Sequence, residues 1–134
     1  FDALGGASIV LDDGNNAVTI DVTDAGNLSA ALAFVAGDTV IVSDTSGNLD
    51  ASAALNAIAG GIDEIEALGV AFAADTAANV SSNDNGAPDS NGEWQFDPSN
   101  DTFTWQVGAT LYNIVLTGVN TMTADGSGNI DVVG

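Results

Sequence analysis

The chain contains no lysine, no arginine and no histidine, and it contains no cysteine. Against these absences stand 19 aspartate and glutamate residues, which give a formal net charge of −19 at pH 7. Every carboxylate therefore meets only other carboxylates, and the compact state repels itself at neutral pH. The missing positive charge has to come from outside the chain, as metal cations, as screening salt or as protons at low pH.

The missing side chains exclude several classes of function. Without His, Lys or Cys the chain has no Ser-His pair, no thiolate nucleophile, no Schiff base and no imidazole zinc site. We therefore expect no enzymatic activity. Nucleic acids and anionic membranes are not expected as partners, because no Arg or Lys is available to contact their phosphates. No apolar run reaches the roughly 18 residues of a membrane-spanning helix.

The chain is nevertheless expected to fold. Hydrophobic residues make up 46% of it and the mean hydropathy is +0.25, which is too apolar for the weakly hydrophobic, highly charged chains that stay unfolded. Its length fits a single domain over residues 1–134, or one unit of a longer repetitive protein. No disulfide can replace the missing ionic stabilisation, since cysteine is absent.

The first 80 residues predict a degenerate repeat of strand, polar turn and short Ala-rich helix. Alternating apolar residues indicate strands at 7–11, 17–22 and 39–42, and Ala-rich composition indicates helices at 27–37 and 51–59. Asp, small residues, Asn and an aliphatic residue recur in that order at 24–28, 44–49 and 75–80. Each Asp and Asn suits a turn or a helix N-cap, and the same oxygens suit a cation, so both interpretations stay open.

The rest of the chain predicts a linker-like loop at 81–92 and an antiparallel β-meander at 93–134. Within it, segments 93–96 and 102–107 form a hairpin, and further strands are expected at 110–116 and 130–133. The hairpin aromatics Trp94, Phe96, Phe103 and Trp105 are expected to pack across the strands, with sugar stacking on the two Trp rings as the alternative. The predicted fold class is mainly β with short Ala-rich helices, of the α+β type.

Several segments resemble those of RTX-type bacterial surface proteins, of surface-layer or adhesin type, that are exported by type I secretion. Residues 75–80 resemble the degenerate repeats of those proteins. The closing region of those proteins is similar to residues 94–97, 101–105, 114–120 and 131–134. The resemblance implies an extracellular or cell-surface protein that is acidic and free of cysteine. The Gly-rich calcium nonapeptide of that family does not occur here, so the calcium-filled parallel β-roll is not implied.

Calcium is the predicted cofactor, because the available ligands are carboxylates, amides, hydroxyls and carbonyls, which are hard oxygen ligands. Three loops are rich in such oxygens, and the first places one at every second residue. For each loop an ordinary turn or flexible linker is the alternative. The candidate metal ligands are Asp125, Ser127, Asn129 and Asp131 in the first loop, Asp84, Asp89, Asn91 and Glu93 in the second, and Asp12 and Asp13 in the third.

The acidic run at 62–66 has two interpretations. On a helix, Asp63 and Glu66 would lie one turn apart, like the carboxylate pair of a hydrolase. The favoured interpretation is that the run forms a solvated face between Ile62, Ile65 and Leu68.

Together these observations predict a secreted structural subunit. Copies of it are expected to assemble into an extracellular filament, matrix or surface layer, with calcium supplying the positive charge. Short strands without Lys leave their edges open to a partner strand, and residues 7–11 and 130–133 are the expected contacts. The alternative function is a calcium-assisted carbohydrate-binding or adhesive module, whose partner would be a cell-surface or extracellular polysaccharide.

Overall fold

A computed structural model of the protein describes residues 16–27, 37–74, 87–124 and 128–134. Within these residues the chain forms two β-sheets, one of five strands and one of four, together with three short α-helices.

The first sheet begins with a parallel ladder of three strands. These strands are β1 (Ala17–Ile20), β2 (Thr39–Thr45) and β3 (Glu64–Leu68). Ala17 pairs with Thr39, and Ile41 pairs with Glu64. Equivalent positions in successive strands are therefore 22 and 23 residues apart. β1 and β2 are each followed by helical residues and form two strand–helix repeats, and β3 adds the third strand of the ladder.

The helices of successive repeats also stack. They are α1 (Val22–Asn27), α2 (Ser46–Leu49) and α3 (Ala53–Ile58), and α3 continues into a 3-10 turn at Ala59–Gly61. The Asp21 carboxylate caps α1 and the Ser52 hydroxyl caps α3, at 2.7 and 3.4 Å from the capped backbone nitrogens. α1 packs against α3, where a Cβ on Gly26 would lie 3.5 Å from the Cβ of Ala54.

Two antiparallel strands close one side of the ladder. β9 (Asn129–Val133) runs against β3, and β8 (Thr121–Ala124) runs against β9, which gives the strand order β1-β2-β3-β9-β8. The Val132 N–H also donates to the Asp63 carbonyl at 2.7 Å. The expectation that residues 130–133 offer a free edge is wrong, because β9 has a strand neighbour on each side.

The second sheet contains the aromatic hairpin. Its strands are β4 (Ala73–Ala74), β5 (Glu93–Asp97), β6 (Thr102–Val107) and β7 (Thr110–Val115), in that order across the sheet. β4 pairs with β5 in parallel, whereas β5, β6 and β7 form an antiparallel meander. In the hairpin Trp94 lies opposite Trp105 and Phe96 lies opposite Phe103, so all four rings share one face.

The buried faces of both sheets belong to one hydrophobic cluster. From the first sheet it takes Ile20, Val42 and Ile65, which are in register across the three parallel strands. From the second sheet it takes the aromatic face of the hairpin, and Leu49 and Leu55 add the buried sides of α2 and α3. The two halves of the chain are therefore packed on a shared core.

The predicted fold class, mainly β with short helices and an antiparallel meander after strand–helix repeats, is confirmed. The cross-strand packing of the hairpin aromatics is confirmed as well. The strand predicted at 17–22 ends at Ile20, because Asp21 caps a helix there. The predicted strand at 7–11 and the segment 75–80 lie outside the described residues.

Three segments differ from expectation. The polar residues 44–48 suit a turn by sequence, and α2 begins within them. The helical interpretation of 62–66 is wrong: these residues lead into β3, where period-two alternation buries Ile65 and leaves Glu64 and Glu66 half-buried on the other face. The meander predicted to reach residue 134 ends at β7, because residues 121–124 and 129–133 return to the first sheet.

Candidate functional site

Four carboxylates connect neighbouring repeats of the ladder, and we call them the interstrand carboxylates. Each accepts a hydrogen bond from the repeat that precedes its own. The pairs are Asp38 with the Asn16 N–H at 3.3 Å, Asp44 with the Val22 N–H at 3.2 Å, Asp63 with the Val40 N–H at 2.9 Å, and Glu66 with the Ser43 hydroxyl at 2.6 Å. In a chain without basic side chains, backbone N–H groups, hydroxyls and side-chain amides are the donors left for carboxylates.

Asp44 makes the densest set of these contacts. One carboxylate oxygen accepts from the Thr45 N–H at 2.7 Å and from the Asn48 side-chain amide at 2.8 Å, and the other accepts from Val22. Partial burial raises the pKa of Asp44, but the hydrogen bonds from Asn48, Thr45 and Val22 outweigh it and hold the pKa below the ordinary 3.8. The Asp–Asn pair at 44 and 48 is thus joined by a local hydrogen bond at the start of α2.

Carboxylates also face one another on the first sheet, on what we call the acidic face: Glu64, Glu66 and Asp131. Glu64 lies directly opposite Asp131 in the antiparallel β3–β9 pair, and Glu66 lies opposite Asn129. Like charges that are directly opposite across a sheet destabilise it. External positive charge at this face would relieve that repulsion.

The first predicted calcium loop is described only in part. Asn129 and Asp131 lie in β9, two residues apart on one face of a strand, and not in a turn. Asp131 is a member of the acidic face. Asp125 and Ser127 lie outside the described residues. Calcium binding by this segment stays a prediction.

The described part of the second predicted loop is held by hydrogen bonds within the protein. Glu93 is almost fully buried, and one of its carboxylate oxygens accepts from the N–H groups of Asp89 at 3.1 Å and Ser90 at 3.0 Å. The Asn91 side-chain oxygen accepts from the Gly108 N–H at 2.7 Å. These groups fix the loop against the β6–β7 turn, which is a structural use of the predicted ligands.

The remaining predicted ligands, Asp84, Asp12 and Asp13, lie outside the described residues. Within the part of the chain that is described, no group of three or more acidic side chains lies close enough together to hold a metal ion. The calcium prediction therefore rests on net charge and on the acidic face.

The two tryptophans do not form a surface for sugars. Trp94 is 1% exposed and Trp105 is 0% exposed. Phe103 contacts both indole rings, edge-on to Trp94 at 5.6 Å and stacked on Trp105 at 5.1 Å between ring centroids. Neither indole N–H has a hydrogen-bond partner among the described residues. In this arrangement the rings act as core, and a sugar cannot stack on them.

Sequence reasoning missed the contacts that cover the outer edge of β7. The Asp50 carboxylate accepts from the Asn113 N–H at 2.6 Å, and the Ala51 N–H donates to the Asn113 carbonyl. Further along, the Asn56 side-chain oxygen accepts from the Thr117 N–H at 2.9 Å. Because these pairs are about 60 residues apart in sequence, no local pattern in the chain predicts them.

Comparison with family models, with curated proteins and with solved structures gave no match. Among the described helices, none is long and apolar enough to cross a membrane. The functional argument therefore rests on charge, on the two sheets and on their edges.

Proposed function

We propose that the protein is a secreted structural subunit that assembles with copies of itself into an extracellular filament, matrix or surface layer. Cations, calcium above all, neutralise it during assembly. The observation that supports this proposal is how the fold uses its carboxylates. The interstrand carboxylates bond to backbone and hydroxyl donors within the ladder. Glu64 and Asp131 lie opposite each other across the acidic face, and the chain has no basic side chain to balance their charges.

Calcium fits this proposal on chemical grounds. Its preferred ligands are carboxylate and carbonyl oxygens, and extracellular calcium sites commonly have dissociation constants near 10⁻⁴ to 10⁻³ M. A ligand present at about 100 times its dissociation constant stabilises the folded state by about 2.7 kcal/mol. That increment is a large fraction of the stability of an ordinary domain, which is roughly 5–15 kcal/mol.

The test compares thermal unfolding and light scattering in calcium with the same measurements in chelator, at matched ionic strength. Calcium should raise the unfolding midpoint and produce ordered polymers that chelator dissolves. The paired substitution Glu64→Gln with Asp131→Asn should raise stability in chelator, because it removes the opposed charges, and should reduce the gain that calcium gives.

A matched control replaces Asp24 and Asp101 by Asn. This variant loses the same two charges away from the acidic face, so it should keep most of the calcium response. Identical midpoints with calcium and with chelator would reject the cation dependence and leave general salt screening as the explanation.

A further inference from the structure

Among the described strands, β7 lies at the edge of its sheet, and its outward backbone groups can be identified. Both the N–H and the carbonyl of Asn113 bond to the α2–α3 segment, on the side away from β6. Since hydrogen-bonding direction alternates along an antiparallel strand, the N–H and carbonyl groups of Leu111 and Val115 point outward as well. Three alternate residues, Leu111, Asn113 and Val115, therefore direct their backbone hydrogen-bonding groups to the side where another strand would pair.

The side chains of these three residues are symmetric about the central one. Leu111 and Val115 are each 45% exposed, and Asn113 lies midway between them on the same face. In an antiparallel pairing centred on Asn113, Leu111 of one copy meets Val115 of the other and the two Asn113 residues meet each other. β7 also contains no acidic residue, so this edge of a chain of charge −19 brings no carboxylate of its own into the contact.

A clasp formed by Asp50 and Ala51 occupies the centre of that edge. It bonds both backbone groups of Asn113, which are the groups that a second strand would use. Ala51 has a φ of +52°, a left-handed conformation that costs a non-glycine residue energy. β7 has neither Lys nor Pro, the residues that commonly protect sheet edges.

We propose that the β7 edge pairs with the β7 edge of a second copy of this chain, antiparallel about Asn113, and that the Asp50–Ala51 clasp competes with this pairing. The result is a twofold contact in which the same surface serves both copies. Two strands of six residues form less than the roughly 1,200 Å² of a standard interface. The dimer is accordingly weak, and it forms only when the net charge is screened.

This inference rests on the proposed function for its biological role, but its test does not. Experiments in about 1 M NaCl with chelator screen charge to a Debye length near 3 Å without calcium. Asp50→Ala should then lower the apparent dissociation constant of the dimer roughly tenfold, the equivalent of one competing hydrogen bond, as measured by sedimentation velocity. Asp24→Ala, which removes one charge elsewhere, should leave it unchanged.

The register is tested by disulfide formation. The chain has no cysteine of its own, so every disulfide must involve an introduced cysteine. In the Asp50→Ala background, Asn113→Cys places two thiols opposite each other at a Cα separation near 5.5 Å, which a disulfide can bridge. Leu111→Cys is the matched control: its thiols would be four residues apart along the pair, about 13 Å, and should not link.

The role of the clasp is tested with Asp50 retained. Ala51→Gly relieves the left-handed strain while keeping the clasp, so it favours the clasped state. Combined with Asn113→Cys, it should reduce disulfide linking at position 113 relative to Asn113→Cys alone.

Dimers linked through position 113, far in excess of those linked through 111, support the pairing. Equal linking at both positions, or an Asp50→Ala protein that remains monomeric in high salt, overturns it. If Asp50→Ala fails to fold, the comparison of Asn113→Cys with and without Ala51→Gly takes its place. Equal disulfide linking in these two proteins would overturn the role of the clasp. None of these outcomes bears on whether calcium drives assembly.

Discussion

At the scale of single residues, the hydrogen bonds that a carboxylate accepts decide the direction of its pKa shift at Asp44 and Asp97. Repulsion among clustered acids predicts raised pKa values. Among the described residues, the two carboxylates with a distinct pKa shift go the other way. Burial raises the pKa of Asp44, but the hydrogen bonds from Asn48, Thr45 and Val22 lower that pKa by more. The hydroxyl and the N–H of Ser99 lower the pKa of Asp97. Close hydrogen bonds outweigh distant like charges at these two positions.

Asp44→Ala tests the most connected of these groups. The substitution leaves the Val22 N–H without its acceptor and should destabilise the protein by about 1.5–3 kcal/mol at pH 7. Because the folded pKa lies below 3.8, the contribution of Asp44 is present above pH 3.8 and is lost as the pH falls through the folded value. Urea unfolding at pH 7 and near pH 2.5 should therefore show a difference from wild type that shrinks in acid. A difference independent of pH would contradict this account.

Gly92→Ala tests a close approach of two backbone segments. Gly92 has a φ of +87°, and a Cβ there would lie 2.6 Å from the Ala71 carbonyl oxygen. Left-handed strain and the clash together should cost about 3 kcal/mol. Gly108→Ala is the control, because its φ is +63° and no atom lies within 4 Å, so it should cost only about 1 kcal/mol. Equal losses in chemical unfolding would show that the clash is relieved by a local shift.

At the scale of elements, the strands explain which residues are buried. β3 has the alternation of a strand with one buried face, and its pairing with both β2 and β9 fixes which residues face inward. In the second sheet, Phe103 makes ring contacts with Phe72, Trp94 and Trp105. That residue links the hairpin to the chain before β4, so packing there holds the second sheet together.

Phe103→Ala should therefore destabilise the protein by about 3–5 kcal/mol, the usual range for a buried aromatic residue replaced by Ala. The near-UV circular dichroism of the adjacent tryptophans should weaken with it. Leu111→Ala, at an exposed position of the same sheet, should change stability by about 0.5 kcal/mol or less. Similar losses for the two variants would mean that the aromatic cluster is not the centre of the core.

At the scale of the whole molecule, we expect net charge to govern the proposed association. The chain carries −19 with a sequence pI of about 4.1, so self-repulsion decreases steadily as the pH approaches that value. Protons and cations act on the same charge, and both should make contacts between copies possible. The edge of β7, whose own residues carry no charge, is one surface where we expect such contacts to become favourable.

Acid should accordingly substitute for calcium. Light scattering of the purified protein in chelator should stay low at pH 7 and should rise near pH 4, where protonation of a substantial share of the carboxylates lowers the net negative charge. Return to pH 7 should reverse the increase if the subunits remain folded. A signal that stays flat from pH 7 to pH 4 would show that neutralisation alone does not bring the copies together.

Much of the fold could be predicted from local patterns. Alternating apolar residues marked β1, β2, β5, β6 and β7, and the turn at 97–101 joined the hairpin. β8 was missed because its four residues, Thr121–Ala124, are too short to show a period. Of the candidate metal ligands that the structure describes, Asp131 alone belongs to the acidic face, and those of the second loop bond within the protein. Composition indicates oxygen-rich loops, but hydrogen-bond partners depend on folding.

The sequence by itself determined the net charge, the absence of basic and thiol side chains, and the kinds of secondary structure in each half. These properties depend on composition and on neighbours along the chain. Only the tertiary structure decided that β9 returns to pair with β3, that Glu64 faces Asp131, and that Asp50 holds Asn113. Those contacts join residues that are far apart in sequence, and their partners are chosen by burying both sheets in one core. Local propensity carries no information about such pairings, since they exist only after the chain has closed on itself.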